Sequence, residues 1–132
     1  MEAFTNWPAV MMEGARGALL DPEPSCKYVA ELVLRSGWAE DDFLAVRFPE
    51  DHRRFVKLHG HAMIEGIDYV APLGMDVIGA AVGLGNTLEE AMEMAREVAK
   101  SVEGQQITFE DSAFDDLQET IEQGIKTHVP WT

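Results

Sequence analysis

Cysteine is all but missing from this chain: Cys26 stands alone among 132 residues. A single thiol excludes an internal disulfide and any cysteine-clustered zinc site. Basic residues are scarce as well, with Lys and Arg numbering 10 against 24 Asp and Glu, for a formal net charge of −14. Non-specific binding to nucleic acid relies on clustered Lys and Arg against phosphates, so no nucleic-acid partner is expected. No uncharged run approaches the ~18 residues of a membrane span, and no membrane partner is expected either. The opening Met1-Glu2-Ala3-Phe4 lacks the basic-then-apolar order of a secretory leader. The expected compartment is the cytoplasm.

What is present is a core-forming composition. Apolar residues make up 46% of the chain, which argues against global disorder, and the length suits one domain. The charge is unevenly spread. Residues 89–122 carry eleven Asp and Glu against only Arg96 and Lys100, whereas Arg16, Lys27, Arg35, Arg47, Arg53, Arg54 and Lys57 all lie earlier. The acidic half is either the solvated face of helices or a docking surface for a basic partner.

The most legible stretch runs from Val77 to Ala91. Residues 77–81 are uncharged and suit a strand covered on both faces. Gly83 and Gly85 are expected to bracket a sharp change of direction. Thr87 and Glu90 then form a T-x-x-E capping box that opens a helix. Along that helix Leu88, Ala91, Met92, Ala95, Val98, Ala99 and Val102 recur at the spacing of one apolar stripe, and Gly104 ends it.

Before this lie several strands. Residues 27–35 alternate, with Tyr28, Ala30, Leu32 and Leu34 on one side and Val29, Glu31, Val33 and Arg35 on the other. Further strands are expected over 43–48, 55–59, 62–65 and 67–70, the last two joined as a tight hairpin about Gly66. An N-terminal helix begins at Asn6-Trp7-Pro8, with Asn6 as N-cap, and stops at Gly17. Val10, Met11, Gly14 and Ala15 share one of its faces. Residues 107–109 read as a short edge strand. Ser112 caps a last helix that buries Phe114, Leu117, Ile121 and Ile125, and Trp131 packs the tail. The fold class is therefore α+β: a small, mostly antiparallel sheet against two C-terminal amphipathic helices, with one N-terminal helix.

Three places could hold chemistry. Gly83, Gly85, Asn86 and Thr87 lie at a helix start, where phosphates are often held. The Walker and dinucleotide patterns both fail there, however, and Glu89 and Glu90 would repel an anion. A tight strand-to-helix joint is the preferred reading. His59 and His61 stand two apart, so on one strand they would share a face and could share a metal; surface histidines at a bend are the plainer alternative, and no metal is assigned. Arg47, Arg53, Arg54 and Lys57 are the one basic concentration in an acidic chain, the natural place for an anionic ligand. Salt bridges to Glu50, Asp51 and the acidic helices explain them equally well. No catalytic residue is assigned.

The order of the motifs carries a resemblance. The run Cys26-Lys27-Tyr28-Val29-Ala30-Glu31-Leu32-Val33-Leu34, then Phe55-Val56-Lys57-Leu58, then Gly66-Ile67-Asp68-Tyr69-Val70, then 77–91 with Thr87-Leu88-Glu89-Glu90-Ala91, resembles the C-terminal region of ATP-grasp ligases. Within them it is most like phosphoribosylamine–glycine ligase (glycinamide ribonucleotide synthetase) and viral or carbamoyl-phosphate-synthase-like relatives. Residues 1–20 are similar to the last helix of the ATP-grasp core, and 21–132 to the C-terminal domain that follows it.

The resemblance implies an accessory domain that contributes to a substrate cleft but is not catalytic alone. The glycine-rich loop, paired lysines and Glu/Asn magnesium ligands of the family lie upstream of the matching region, and no Glu-x-Asn pair occurs here. No cofactor is expected in this chain; ATP and Mg are implied only for an intact ligase. The implied partner is an upstream ATP-grasp core. The alternative reading is a non-enzymatic acidic module for interaction with a protein partner or for homo-oligomerisation.

Overall fold

The computed structural model describes residues 3–126. Twelve elements follow one another, and the strands divide into two antiparallel sheets. Helix α1 is Trp7–Ala15. Strand β1 is Tyr28–Ser36, followed by a 3₁₀ turn at Trp38–Glu40 and strand β2 at Leu44–Val46. A 3₁₀ helix, Glu50–Phe55, leads into β3 (Val56–Leu58), β4 (His61–Ile64) and β5 (Ile67–Val70). Then come β6 (Val77–Gly85), α2 (Leu88–Ser101), β7 (Ile107–Phe109) and α3 (Ala113–Lys126).

The larger sheet has the order β3-β6-β1-β7, the smaller one β2-β5-β4. The expectation of a single sheet is thus corrected. The turn at Gly60, with φ of +52°, sends β4 away from β3, and β4 pairs instead with β5. Mixed α+β architecture with antiparallel pairing holds.

In β1 the alternation holds for Ala30, Leu32 and Leu34, which turn inward and are buried, whereas Tyr28 at the start of the same face is 45% exposed. Ser36 continues the strand and is buried too, while the residues between are exposed. Ser36 tolerates full burial because its hydroxyl donates to the Gln105 carbonyl at 2.7 Å. The β4–β5 hairpin forms about Gly66 as expected, pairing Ile64 with Ile67. Glu65 and Gly66 both have positive φ, the pattern of a two-residue I′ turn.

Strand β6 overturns one expectation. Gly83 and Gly85 do not bend the chain; both continue the strand opposite Ala30 and Tyr28. Their missing side chains serve contact with the helix. A Cβ on Gly83 would overlap the Ala91 carbonyl and the Ala95 amide, and one on Gly85 would sit 2.6 Å from the Ala91 nitrogen. Helix α2 therefore lies directly on the strand backbone, with Ala91, Met92, Ala95, Val98 and Ala99 buried beneath it. The direction changes only at Asn86-Thr87, where Thr87 Oγ1 accepts from the Glu90 N–H at 3.1 Å and Glu90 reaches back.

Two helices pack less than expected. Of α3 only Phe114 is buried; Leu117 and Ile125 are 43% and 62% exposed. Helix α1 buries none of its residues. The Asn6 side chain makes no capping bond; it donates to the Asp21 carbonyl at 2.9 Å and accepts from the Glu23 N–H at 2.7 Å. Trp131 lies outside the described residues. Among those described, no helix is long and apolar enough to cross a membrane.

Candidate functional site

The densest chemistry lies on the smaller sheet. In β5, Asp68 and Val70 share the inward face, so a carboxylate occupies a core position and is 6% exposed. A buried carboxylate needs compensation. Arg53, from the 3₁₀ helix after Pro49, supplies it with two parallel bonds, Nη1 to Oδ1 at 3.0 Å and Nη2 to Oδ2 at 3.1 Å. The same guanidinium donates Nε to Glu50 at 2.8 Å and lies over the Phe48 ring, 5.1 Å from its centroid. His61, on β4, places Nε2 at 2.6 Å from Asp68 Oδ1. An ionised carboxylate only accepts, so the proton in that contact sits on Nε2.

The electrostatics follow from these bonds. The Arg53 hydrogen bonds hold the Asp68 carboxyl below the ordinary carboxylate range, with His61 assisting and burial opposing. Asp68 and Glu50 in turn hold Arg53 still more firmly protonated than an isolated guanidinium.

Beside this cluster is an open groove of about 390 Å³, lined by Val46, Arg47, Phe48, Glu50, Arg53, Gly66, Ile67 and Asp68. The basic concentration read in the sequence is divided here. Arg47 and Arg53 share the groove, whereas Arg54 and Lys57 are not in its lining. Arg53 is fully engaged by Asp68 and Glu50. The exposed Arg47 side chain has no hydrogen bond or ion pair among the described residues, while its backbone pairs with Glu103. Arg54 lies over the Phe55 ring at 5.4 Å. Lys57 is exposed on β3, opposite Ala80. Arg47 is therefore the groove's cation whose side chain has no partner among the described residues.

The other candidates resolve differently. His59 and His61 do not share a strand, because His59 follows β3 and His61 opens β4 across the Gly60 turn. Among the described residues no group of three or more His, Cys, Asp and Glu is placed to hold a metal ion. At the Gly83-Gly85-Asn86-Thr87 segment, the Asn86 and Thr87 N–H groups both donate to Glu90 Oε2, at 2.9 and 3.3 Å. The amides a phosphate would use are already held by a carboxylate. A larger groove, about 420 Å³, opens between Glu31, Val33, Arg35, Thr108, Phe109, Glu110 and Ala113. Its charged side chains are solvent-exposed and Arg35 is paired with Asp76 at 3.0 Å, so it concentrates less chemistry than the Asp68 cluster.

Asp68 as the hub escaped the sequence reading. The available signal was its phase: Asp68 falls two residues before Val70, on the core face of an alternating strand. His52 is a second residue that only the fold explains. Ser101 Oγ donates to the Val98 carbonyl at 2.6 Å, so the 2.7 Å contact from His52 Nδ1 to that hydroxyl requires the proton on Nδ1.

No protein-family model and no curated protein matches the chain. Among solved structures it is similar to phosphoribosylamine–glycine ligase from Thermotoga maritima, with a TM-score of 0.59 and 21% identity. That likeness covers 80% of this chain and 27% of the ligase. At this identity the relation is one of fold: the chain has the architecture of a segment of that ligase and spans about a quarter of its length.

Proposed function

We propose that the chain serves as an accessory domain of an ATP-grasp ligase of the carboxylate–amine type, lending binding surface to a substrate cleft and no phosphoryl chemistry of its own. The observation that carries this reading is the fold likeness over 80% of the chain to a fraction, 27%, of a known ligase. The order of motifs around Thr87-Leu88-Glu89-Glu90-Ala91 supports it from the sequence side. In this reading Arg47 contacts an anionic substrate from the groove, and Arg53 keeps the groove wall rigid through Asp68 and Glu50. ATP and Mg belong to the partner core.

The test is reconstitution. The 132-residue chain is mixed with a separately expressed ATP-grasp core, and ADP release is followed in the presence of amine and carboxylate substrates. Turnover is expected only with both components, and Arg47→Ala should raise KM for the anionic substrate about tenfold with kcat little changed. Absence of turnover with any core that is active when given its own accessory domain would sink the proposal.

A second reading, an acidic interaction or oligomerisation module, is favoured by one specific observation: beyond Phe114 the apolar face of α3 is exposed at Leu117 and Ile125.

A further inference from the structure

Helix α3 separates apolar and acidic residues onto opposite faces. At about 100° per residue, Phe114, Leu117, Ile121 and Ile125 fall within one stripe. Its N-terminal end is anchored, because Phe114 is 4% exposed beneath the Arg96 guanidinium, 5.3 Å from the ring centroid. Arg96 also holds the start of the helix through Asp111 at 2.6 Å and Asp115 at 3.4 Å. Past that anchor the stripe leaves the body, with Leu117 43% and Ile125 62% exposed.

The charge placement says what can cover it. The positions flanking the stripe are uncharged: Gln118, Thr120 and Gly124. The carboxylates Asp115, Asp116, Glu119 and Glu122 project at least about 100° away from the stripe axis. A basic partner helix would find its counter-charges on the wrong side. An anionic lipid surface would meet four acids in a helix whose last turn supplies the lone Lys126, the opposite of the cationic polar face that interfacial helices carry. An identical helix, by contrast, can lay stripe on stripe with all acids left in solvent and no like charges at the seam.

We infer that the α3 stripe is a self-association surface whose occupant is the α3 helix of a second copy, related by a two-fold axis. The inference goes beyond the ligase reading and does not rest on it. A helix of 14 residues offers a small contact, so the dimer belongs to the weak class, with Kd on the order of 10⁻⁴ M.

Sedimentation equilibrium of the full chain from about 10 μM to 1 mM tests it. A reversible monomer–dimer equilibrium is expected. Leu117→Glu should weaken it at least about tenfold, and Glu119→Gln, on the far side, should leave it intact. Added salt should strengthen association, because each copy carries −14. Should circular dichroism show Leu117→Glu to be unfolded, Ile125→Glu at the more exposed position gives the same reading. A monomer at every concentration overturns the inference, and so does a dimer that survives both substitutions.

Discussion

The β6–α2 joint and the Asp68 cluster hold their two sheets by opposite means. At the joint, glycine faces alanine: Gly83 and Gly85 admit Ala91 and Ala95 onto bare backbone, and the joint's one carboxylate, Glu90, serves only to cap the helix start at Asn86 and Thr87. In the smaller sheet, Asp68 is buried among Arg53, His61 and Glu50, and the contact is mostly charge. Close packing is unforgiving of volume but indifferent to pH and salt. A charged cluster tolerates some change of shape but answers to protons. One chain thus contains a rigid half and a conditional half, and the candidate groove lies on the conditional one.

The largest effect expected breaks the rigid half. Gly83→Val places a branched side chain inside the Ala91 carbonyl and Ala95 amide, and should cost about 3 kcal/mol or more in a urea titration. A variant as stable as the parent would mean the helix can lift from the strand.

Next comes the conditional half. Asp68→Asn should cost about 1–3 kcal/mol, the lower part of the range for a broken buried pair because the Arg53 side chain is 34% exposed. The pH dependence carries a definite sign. Asp68 has its folded pKa depressed, so its contribution is complete above the unfolded value near ~4 and fades as pH falls through the lower folded value. Amide exchange in β4 and β5 should therefore accelerate in acid before that of β1 and β6, and Asp68→Asn should abolish the difference. Equal acid sensitivity of both sheets would remove the distinction.

The smallest effect sharpens the joint. Thr87→Ala deletes the capping bond to Glu90 and should cost about 1 kcal/mol, seen as a lower thermal midpoint with an unchanged native spectrum.

The sequence disclosed whatever depends on local periodicity. Alternation in 27–35 marked β1 and the inward Ala30, Leu32 and Leu34 though not the exposed Tyr28, Thr87 and Glu90 marked the start of α2, and Gly66 marked a hairpin. It was silent or misleading where one residue type answers two needs. Glycine is favoured both in turns and where backbones touch, and Gly83 and Gly85 serve the second purpose. The clue was downstream: Ala91 and Ala95, four apart on the helix, are the small residues such an approach requires. Likewise the period that buries Phe114 continues through Leu117, Ile121 and Ile125, but a period records an apolar face and not what covers it. Asp68 and Arg53 are fifteen residues apart, and no local rule pairs them.

The polar neck at Asn6 sets how the N-terminal segment comes apart. Asn6 binds both Asp21 and Glu23, Ser25 bonds back to Ala3 at 2.6 Å, and Phe4 stacks on Trp7. These contacts draw closed a loop of 17 residues whose helix buries nothing. Closing a loop of that length costs about 2.5 kcal/mol in chain entropy before any constant is added. Exposed hydrogen bonds each return about 1 kcal/mol. The segment is thus held by polar contacts and one aromatic stack rather than by a buried helix face, and hydrogen exchange in residues 7–15 is expected to outpace that in β1.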